Sequence, residues 1–307
     1  MKKNLLVCFF IILLSFPSFN VQRSEGQGTY AGSEACQDCH QDKWESYVRS
    51  YHGVKGDPRT PAAKRGCESC HGPAAAHVEA GGGRGVGGIK AMGQTSVLSA
   101  EQRSEVCLQC HAKGKVALWS GSSHEARGLS CSSCHSIHAG YPKNLSKPVQ
   151  QEVCIQCHKT IISQLLRQSH HPIREGKIKC ADCHNTHGTI ADKLIDAQYV
   201  NLKCYECHAE YRGPFLWEHA PVTEDCLTCH TPHGSTHERL LKAKPCYLCQ
   251  RCHSGSRHPG TLYARSTDQR GESVYRALSN RAFYRACLNC HPQIHGSNHS
   301  SGHSLMR

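Results

Sequence analysis

Twenty of the chain's 22 cysteines fall in ten C-x-x-C pairs, and in all ten the next residue is histidine. The sets are Cys36/Cys39/His40, Cys67/Cys70/His71, Cys107/Cys110/His111, Cys131/Cys134/His135, Cys154/Cys157/His158, Cys180/Cys183/His184, Cys204/Cys207/His208, Cys226/Cys229/His230, Cys249/Cys252/His253 and Cys287/Cys290/His291. Two thiols at this spacing with an adjacent imidazole form the attachment site of a c-type haem: the thiols bond to the porphyrin edge and the histidine is held against the iron. A disulfide framework is the first expectation for an exported cysteine-rich chain, and zinc is the other common user of cysteine and histidine. Neither needs histidine directly after every second cysteine. The expected cofactors are ten covalently bound c-type haems, with those ten histidines as proximal iron ligands.

Of the 24 histidines, fourteen lie outside the motifs. Histidine is also a common second axial ligand, and the spacing selects ten candidates for the distal side: His52, His77, His124, His138, His170 or His171, His187, His219, His233, His258 and His295. Within the adjacent pair His170 is favoured, although a spacing of 11 to 13 residues from the motif admits both. HGSTH at 233–237 and HGSNH at 295–299 share a spacing, so His299 is an alternative to His295. His237, His299 and His303 are otherwise surface or propionate-contacting residues.

The motifs come in five two-haem modules, each with one histidine between its motifs and another shortly after the second. EVCLQCH at 105–111 and EVCIQCH at 152–158 mark the modules as internal repeats. Glu152 to Gly188 is the middle repeat. Trp44, Tyr47 and Val48 recur at helical spacing after the first motif, and Ser99 with Gln102 can form a capping box that starts a helix into the third. Residues 78–98 are glycine-rich without apolar periodicity and read as a flexible loop; no GK[ST] follows to make them a phosphate cradle. In the last module His258 comes early, an arginine-rich insert precedes the tenth motif, and Cys246 is a spare thiol, because only Cys249 and Cys252 are followed by histidine. His184 and His187, if helical, would stand about 5–6 Å apart on one face. They cannot straddle one porphyrin, so the second histidine of each C-H-x-x-H is expected to serve another haem. A straight helix would carry His170 roughly 18 Å from His158, which also favours another haem, but a bend reverses that.

The polypeptide is poor in core material, with a mean hydropathy of −0.52 and 7% aromatic residues. The porphyrins are expected to be the core, with the chain as a thin wrapping that folds only when loaded. Lys2 and Lys3 precede an apolar run from Leu5 to Phe16, the pattern of a secretory signal peptide over residues 1–26, too short for an ordinary membrane span. The formal charge of +12 invites a nucleic-acid partner. Two propionates on each of ten haems add about −20 and bring the loaded protein near −8, so no nucleic acid is expected. There is no C-x-x-C-K, and distal candidates cover every haem. With both axial positions filled, substrate cannot reach iron, which leaves electron transfer rather than catalysis.

The ten motifs, the five modules, CESCHGP at 67–73 and the ending CLNCHPQIHGSNHSSGH resemble the MtrA/DmsE family of decahaem c-type cytochromes. The resemblance implies short α-helices and irregular loops around a row of ten haems with almost no β-sheet, and two fused pentahaem halves, 27–165 and 166–307. It also implies bis-histidine haems in one continuous wire. Its members sit in an outer-membrane β-barrel porin and pass electrons between periplasm and exterior. The implied partners are that porin, an extracellular multihaem cytochrome or reductase, and a periplasmic or inner-membrane cytochrome donor, for a periplasmic, outer-membrane-associated protein. A polar, loop-rich backbone cannot face lipid unsatisfied, so crossing a membrane would require such a sheath. A soluble periplasmic shuttle built from the same modules is the alternative, and a multihaem reductase of a small oxyanion the more distant one.

Overall fold

The computed structural model describes residues 28–139, 147–253, 265–267, 273–275 and 287–306. The expected signal peptide and His258 lie outside them. Among the described residues there are eleven α-helices, none longer than nine residues, joined by single 3-10 turns and loops. One antiparallel ribbon, Arg265–Thr267 with Ser273–Tyr275, is the whole of the β-sheet among them. No described helix is long and apolar enough to cross a membrane.

Every motif has the same local form. The backbone N–H of its histidine donates to the carbonyl of its first cysteine at 2.8–3.1 Å in all ten. This single helical turn brings both thiols and the imidazole to one side. The first motif of each module ends a helix: Glu34–Gln37, Ala100–Leu108, Lys147–Ile155, Val200–Tyr205 and Pro245–Gln250 reach or enter its cysteines. The second motif is a turn by itself, as in Cys131–Cys134, Cys180–Asp182 and Cys226–Thr228. The expected capping box opens Ala100–Leu108: the Gln102 N–H donates to Ser99 Oγ at 3.1 Å and the Ser99 N–H to Gln102 Oε1 at 2.9 Å.

Polar side chains join the two motifs of the first, second and fourth modules in the same way. The Cys67 N–H donates to Ser33 Oγ at 2.9 Å, the Cys131 N–H to Ser104 Oγ at 3.4 Å and the Cys226 N–H to Asn201 Oδ1 at 2.7 Å. In each case the residue three before the first motif fixes the start of the second. Glu68, buried, accepts from the N–H groups of Ala31, Gly32 and Ala74 at 2.9–3.0 Å and ties the N-terminal lead-in to the second motif.

Apolar packing is scant. Only Tyr47, Ala74, Trp119, Leu165 and Ile173 are buried hydrophobic residues among those described. In place of a side-chain core, a continuous cavity of about 5460 Å³ runs from Tyr47 to Gly296 and is lined by the eight motif histidines from His71 to His253. This is several times the volume of a small-molecule site, roughly 1,000 Å³ at most.

Candidate functional site

The histidines along the cavity meet in facing pairs, and each pair joins a motif to a histidine from a different module. From the histidines between motifs, His52 faces His111, His124 faces His158, His171 faces His208 and His219 faces His253, with ring centroids 5.9, 6.1, 6.3 and 6.0 Å apart. From those after the second motif, His138 faces His71, His187 faces His135, His233 faces His184 and His295 faces His230, at 6.2, 6.0, 6.1 and 6.1 Å. One rule covers all eight. The histidine between motifs reaches forward to the first motif of the next module, and the histidine after them reaches back to the second motif of the previous one.

The spacing is chemically informative. Two imidazoles on opposite sides of one iron are separated by two metal–nitrogen bonds of about 2 Å and the half-widths of two rings, about 6 Å in all. Aromatic pairs in general spread over about 4.5–7 Å, so it is the constancy of all eight pairs, at 5.9–6.3 Å, that points to a common spacer. Burial pushes His52, His135, His138, His187, His219, His230, His233 and His295 below the ordinary imidazole value. They are therefore neutral and have a lone pair at neutral pH.

Backbone carbonyls fix which nitrogen carries that lone pair. The Nδ1 of His71 lies 2.7 Å from Lys90 O, that of His124 2.8 Å from Thr186 O, that of His184 2.9 Å from Lys193 O and that of His230 2.8 Å from Arg239 O. A carbonyl only accepts, so Nδ1 bears the hydrogen and Nε2 is free to bind metal. Two of these carbonyls are aimed by left-handed non-glycine residues, Lys193 and Leu194 at φ 56° and 57° and Arg239 and Leu240 at φ 55° and 59°. This conformation is costly for a side chain, and here its recurrence coincides with a histidine acceptor.

The thiols define a row. Within modules the first cysteines share hydrogen bonds: Cys36 with Cys67, Cys107 with Cys131, Cys154 with Cys180, Cys204 with Cys226 and Cys249 with Cys287. The bond from Cys107 draws the Cys131 thiol down to about 6. Between modules the second cysteines come within electrostatic reach: Cys70 of Cys110, Cys134 of Cys157, Cys183 of Cys207 and Cys229 of Cys252. Neighbouring motifs in sequence are thus neighbours in space from the first to the tenth.

The first and tenth motifs differ from the eight between them. Cys36, Cys39 and His40 at one end, and Cys287, Cys290 and His291 at the other, lie outside the lining of the shared cavity. His40 belongs to none of the eight facing pairs. Cys39, His40 and Cys290 are exposed, and His291 is half-buried. The reason is position in the row: an interior motif is covered by modules on both sides, whereas a terminal one has a neighbour on one side only. The local turn is unchanged at both ends, and the thiol contacts to Cys67 and Cys249 still join them to the row. His291 also keeps the carbonyl arrangement of the interior sites, with its Nδ1 2.7 Å from Ser304 O.

Comparison with known proteins agrees with this geometry. Residues 67–147 match the family described as cytochrome c-type protein NrfB-like, and residues 170–213 and 219–258 match the doubled CXXCH motif. The chain is 40% identical over 288 residues to the multiheme cytochrome MtrA of Shewanella baltica (strain OS185), covering 92% of this chain and 84% of that one. The chain belongs to the MtrA family of multihaem cytochromes. It is a c-type cytochrome that binds haem covalently and transfers electrons. The paired imidazoles and the long cavity fit such groups.

Within this MtrA-type chain two sequence expectations need correction. His171, not the favoured His170, faces a motif histidine. His171 Nδ1 donates to Pro232 O at 2.6 Å, whereas His170 is held by Arg167 O at 2.7 Å and Glu175 Oε1 at 3.1 Å. The glycine-rich segment is not an unstructured loop. It folds over the second motif, with Lys90 O accepting from His71, Val86 O accepting from His77 Nδ1 at 3.1 Å, and Met92 O accepting from Ser132 at 2.7 Å. Gly87, at φ 68°, packs so closely on the His77 backbone that a β-carbon would collide with it. Gly87 thus serves close approach, while a β-carbon on Gly81, Gly82, Gly85 or Gly88 would meet nothing within 4 Å.

The structure also separates the two candidates near the C-terminus and adds residues that spacing did not single out. His295 takes the facing position and His299 does not; its Nδ1 lies 3.0 Å from Ser301 Oγ. Glycines follow three of the four reaching-back histidines, His187, His233 and His295, and a β-carbon on Gly188, Gly234 or Gly296 would strike the Leu118 carbonyl, the Gln164 carbonyl or the Phe215 ring of the preceding module. The recurring His-Gly dipeptide was the available signal. Paired backbone bonds complete these junctions, between Ser169 and Ser235 at 3.1 and 2.7 Å and between Trp217 and Ser297 at 2.9 Å each.

Proposed function

We propose that this chain is a ten-haem wire that carries electrons across the outer membrane, sheathed in a β-barrel porin. The observation that carries the proposal is the unbroken adjacency of consecutive motifs, together with facing imidazoles at about 6 Å. In this reading the ten C-x-x-C-H sets hold the haems, their histidines are proximal ligands, and the facing histidines are the distal ligands of haems two to nine.

The two ends follow from the rule. In the first module His77 has no earlier module to reach back to, so it closes the first haem, opposite His40. In the last, His258 has no later module to reach forward to, so it closes the tenth, opposite His291. Ends that differ from the interior are the general property of a repeat array. Halves divided at 165/166 would meet where haems five and six adjoin, after the helix Lys159–Leu165. With every iron closed by two histidines, the conduit does no substrate chemistry of its own.

A row of this length is useful where electrons must cross a barrier, and its polar backbone needs a protein sheath there. The donor would be a periplasmic or inner-membrane cytochrome, and the outer partner an extracellular multihaem cytochrome or reductase. The test is purification from outer membranes and reconstitution with the co-purifying barrel in liposomes carrying an internal reductant. Reduction of an external acceptor is expected. A protein recovered only as a free periplasmic monomer would instead be a shuttle.

A further inference from the structure

Equivalent positions in the first three modules carry Tyr47, Trp119 and Leu165, seven to eight residues after the first-motif histidine. All three are buried, at 7%, 5% and 4% exposure, and all line the cavity. Each lies beside the place where the next module reaches back. The helix Gln41–Val48, which carries Tyr47, packs on the turn Ile137–Ala139, which carries His138. Trp119 stands 6.5 Å from the His187 ring. Leu165 follows Gln164, whose carbonyl meets Gly234 beside His233. The three therefore address the second, fourth and sixth motifs in turn.

They differ in one respect. Tyr47 has an O–H and Trp119 an N–H, and both polar atoms are fully buried without a partner in the chain. Leu165 has no donor. In the fourth module, Trp217 already donates its N–H to His299 O at 2.9 Å. Buried donors are almost always paired, and leaving one unpaired costs the full desolvation of that group. A cavity that receives porphyrins offers one strong acceptor, the propionate carboxylate.

We infer that Tyr47 and Trp119 each donate a hydrogen bond to a propionate of the haem held by the motif they face, the second and the fourth, and thereby raise the potential of those two haems above that of the sixth. A bare propionate charge stabilises ferric iron, and a donor that spreads that charge weakens this preference. The inference rests on the reading of His71/His138 and His135/His187 as axial pairs.

The test compares Tyr47→Phe, Trp119→Phe and a Leu165→Met control in the full-length loaded protein. Haem content and low-spin absorption come first, because loss of either in the unchanged protein would overturn the axial reading separately. Each Phe variant is expected to keep its haems while the potential of one tenth of the haem absorbance moves lower, and the propionate bending band in resonance Raman changes. The Leu165→Met control should leave both unchanged. Should Trp119→Phe not assemble, the indole band of a Trp44→Phe/Trp217→Phe protein, in which Trp119 is the one tryptophan left, reports its N–H directly in ultraviolet resonance Raman. A hydrogen-bonded indole is expected there. A free indole, or a hydrogen-bonded one with the Tyr47→Phe titration and propionate band unchanged, overturns the inference.

Discussion

The His187 ring lies 6.0 Å from that of His135 and within 13° of parallel to it, although His184 is only three residues away in sequence. The chain thus crosses from the third module to close a position on the second. Substituting His187→Ala should accordingly open the haem held by Cys131 and Cys134, not the one held by Cys180 and Cys183. One high-spin haem is expected in the magnetic circular dichroism spectrum. In a Cys131→Ala/Cys134→Ala background, which lacks the fourth haem, the same substitution should add no high-spin signal. A signal that persists there would mean that His187 serves its own motif's haem.

Ring orientation differs among the pairs, with forward-reaching His171–His208 tilted at 51° and His219–His253 near parallel at 23°. Those that reach back are near parallel, at 25°, 13°, 23° and 17°. Those at the third and fifth motifs are near perpendicular, at 76° and 77°. Parallel axial imidazoles split the iron d-orbitals rhombically, and perpendicular ones leave a near-axial field. Electron paramagnetic resonance of the oxidised protein should show rhombic low-spin signals from the second, fourth, sixth, eighth and ninth haems, and large-g signals that His52→Met and His124→Met each diminish. Rhombic signals alone would contradict the perpendicular pairs.

Junction glycines should be intolerant of even one methyl group. Gly188→Ala and Gly234→Ala would drive a β-carbon into a backbone carbonyl that has no rotamer to escape with, and Gly188 is further constrained by its φ of 125°. Overpacking of this kind costs about 1–3 kcal/mol. Lower denaturation midpoints are expected for both variants. Gly56→Ala, where the β-carbon meets nothing within 4 Å, should behave like the unaltered protein.

Much of this site was legible because haem attachment is written locally: five contiguous residues make one turn, and the ten copies need no tertiary knowledge. The crossing of His138, His187 and His233 to other motifs was legible too, since residues three apart cannot straddle one iron. Which motif each would reach was not, because the partner is set by module junctions such as Gly188 on Leu118 and Ser169 with Ser235. Nor does a local motif reveal that His40 and His291 stand outside the shared cavity, since that depends on how many modules flank them. The glycine-rich segment misled for a related reason. Composition reports that glycines permit unusual backbone, but whether Gly87 serves mobility or close packing is decided by His77, ten residues earlier. The scarcity of apolar residues, by contrast, anticipated a chain with five buried hydrophobic side chains among those described.

The choice between His170 and His171 shows the same limit and can be tested directly. Adjacent residues have nearly the same spacing from both motifs, so periodicity is blind to the difference. Selection comes from a carbonyl in the next module: Pro232 O takes the Nδ1 hydrogen of His171 at 2.6 Å and leaves its Nε2 facing His208. The other ring is already engaged by Glu175, whose carboxylate holds His170 above the ordinary imidazole value. His171→Ala should open one haem, that of Cys204 and Cys207, and yield one high-spin signal. His170→Ala should leave every haem low-spin and remove only a solvent-screened ion pair, with little change in stability. Because the raised His170 value favours its charged form, that small contribution should be present below the unfolded-state value and fade as pH rises through the folded one. A high-spin haem in His170→Ala, with none in His171→Ala, would restore the assignment that spacing favoured.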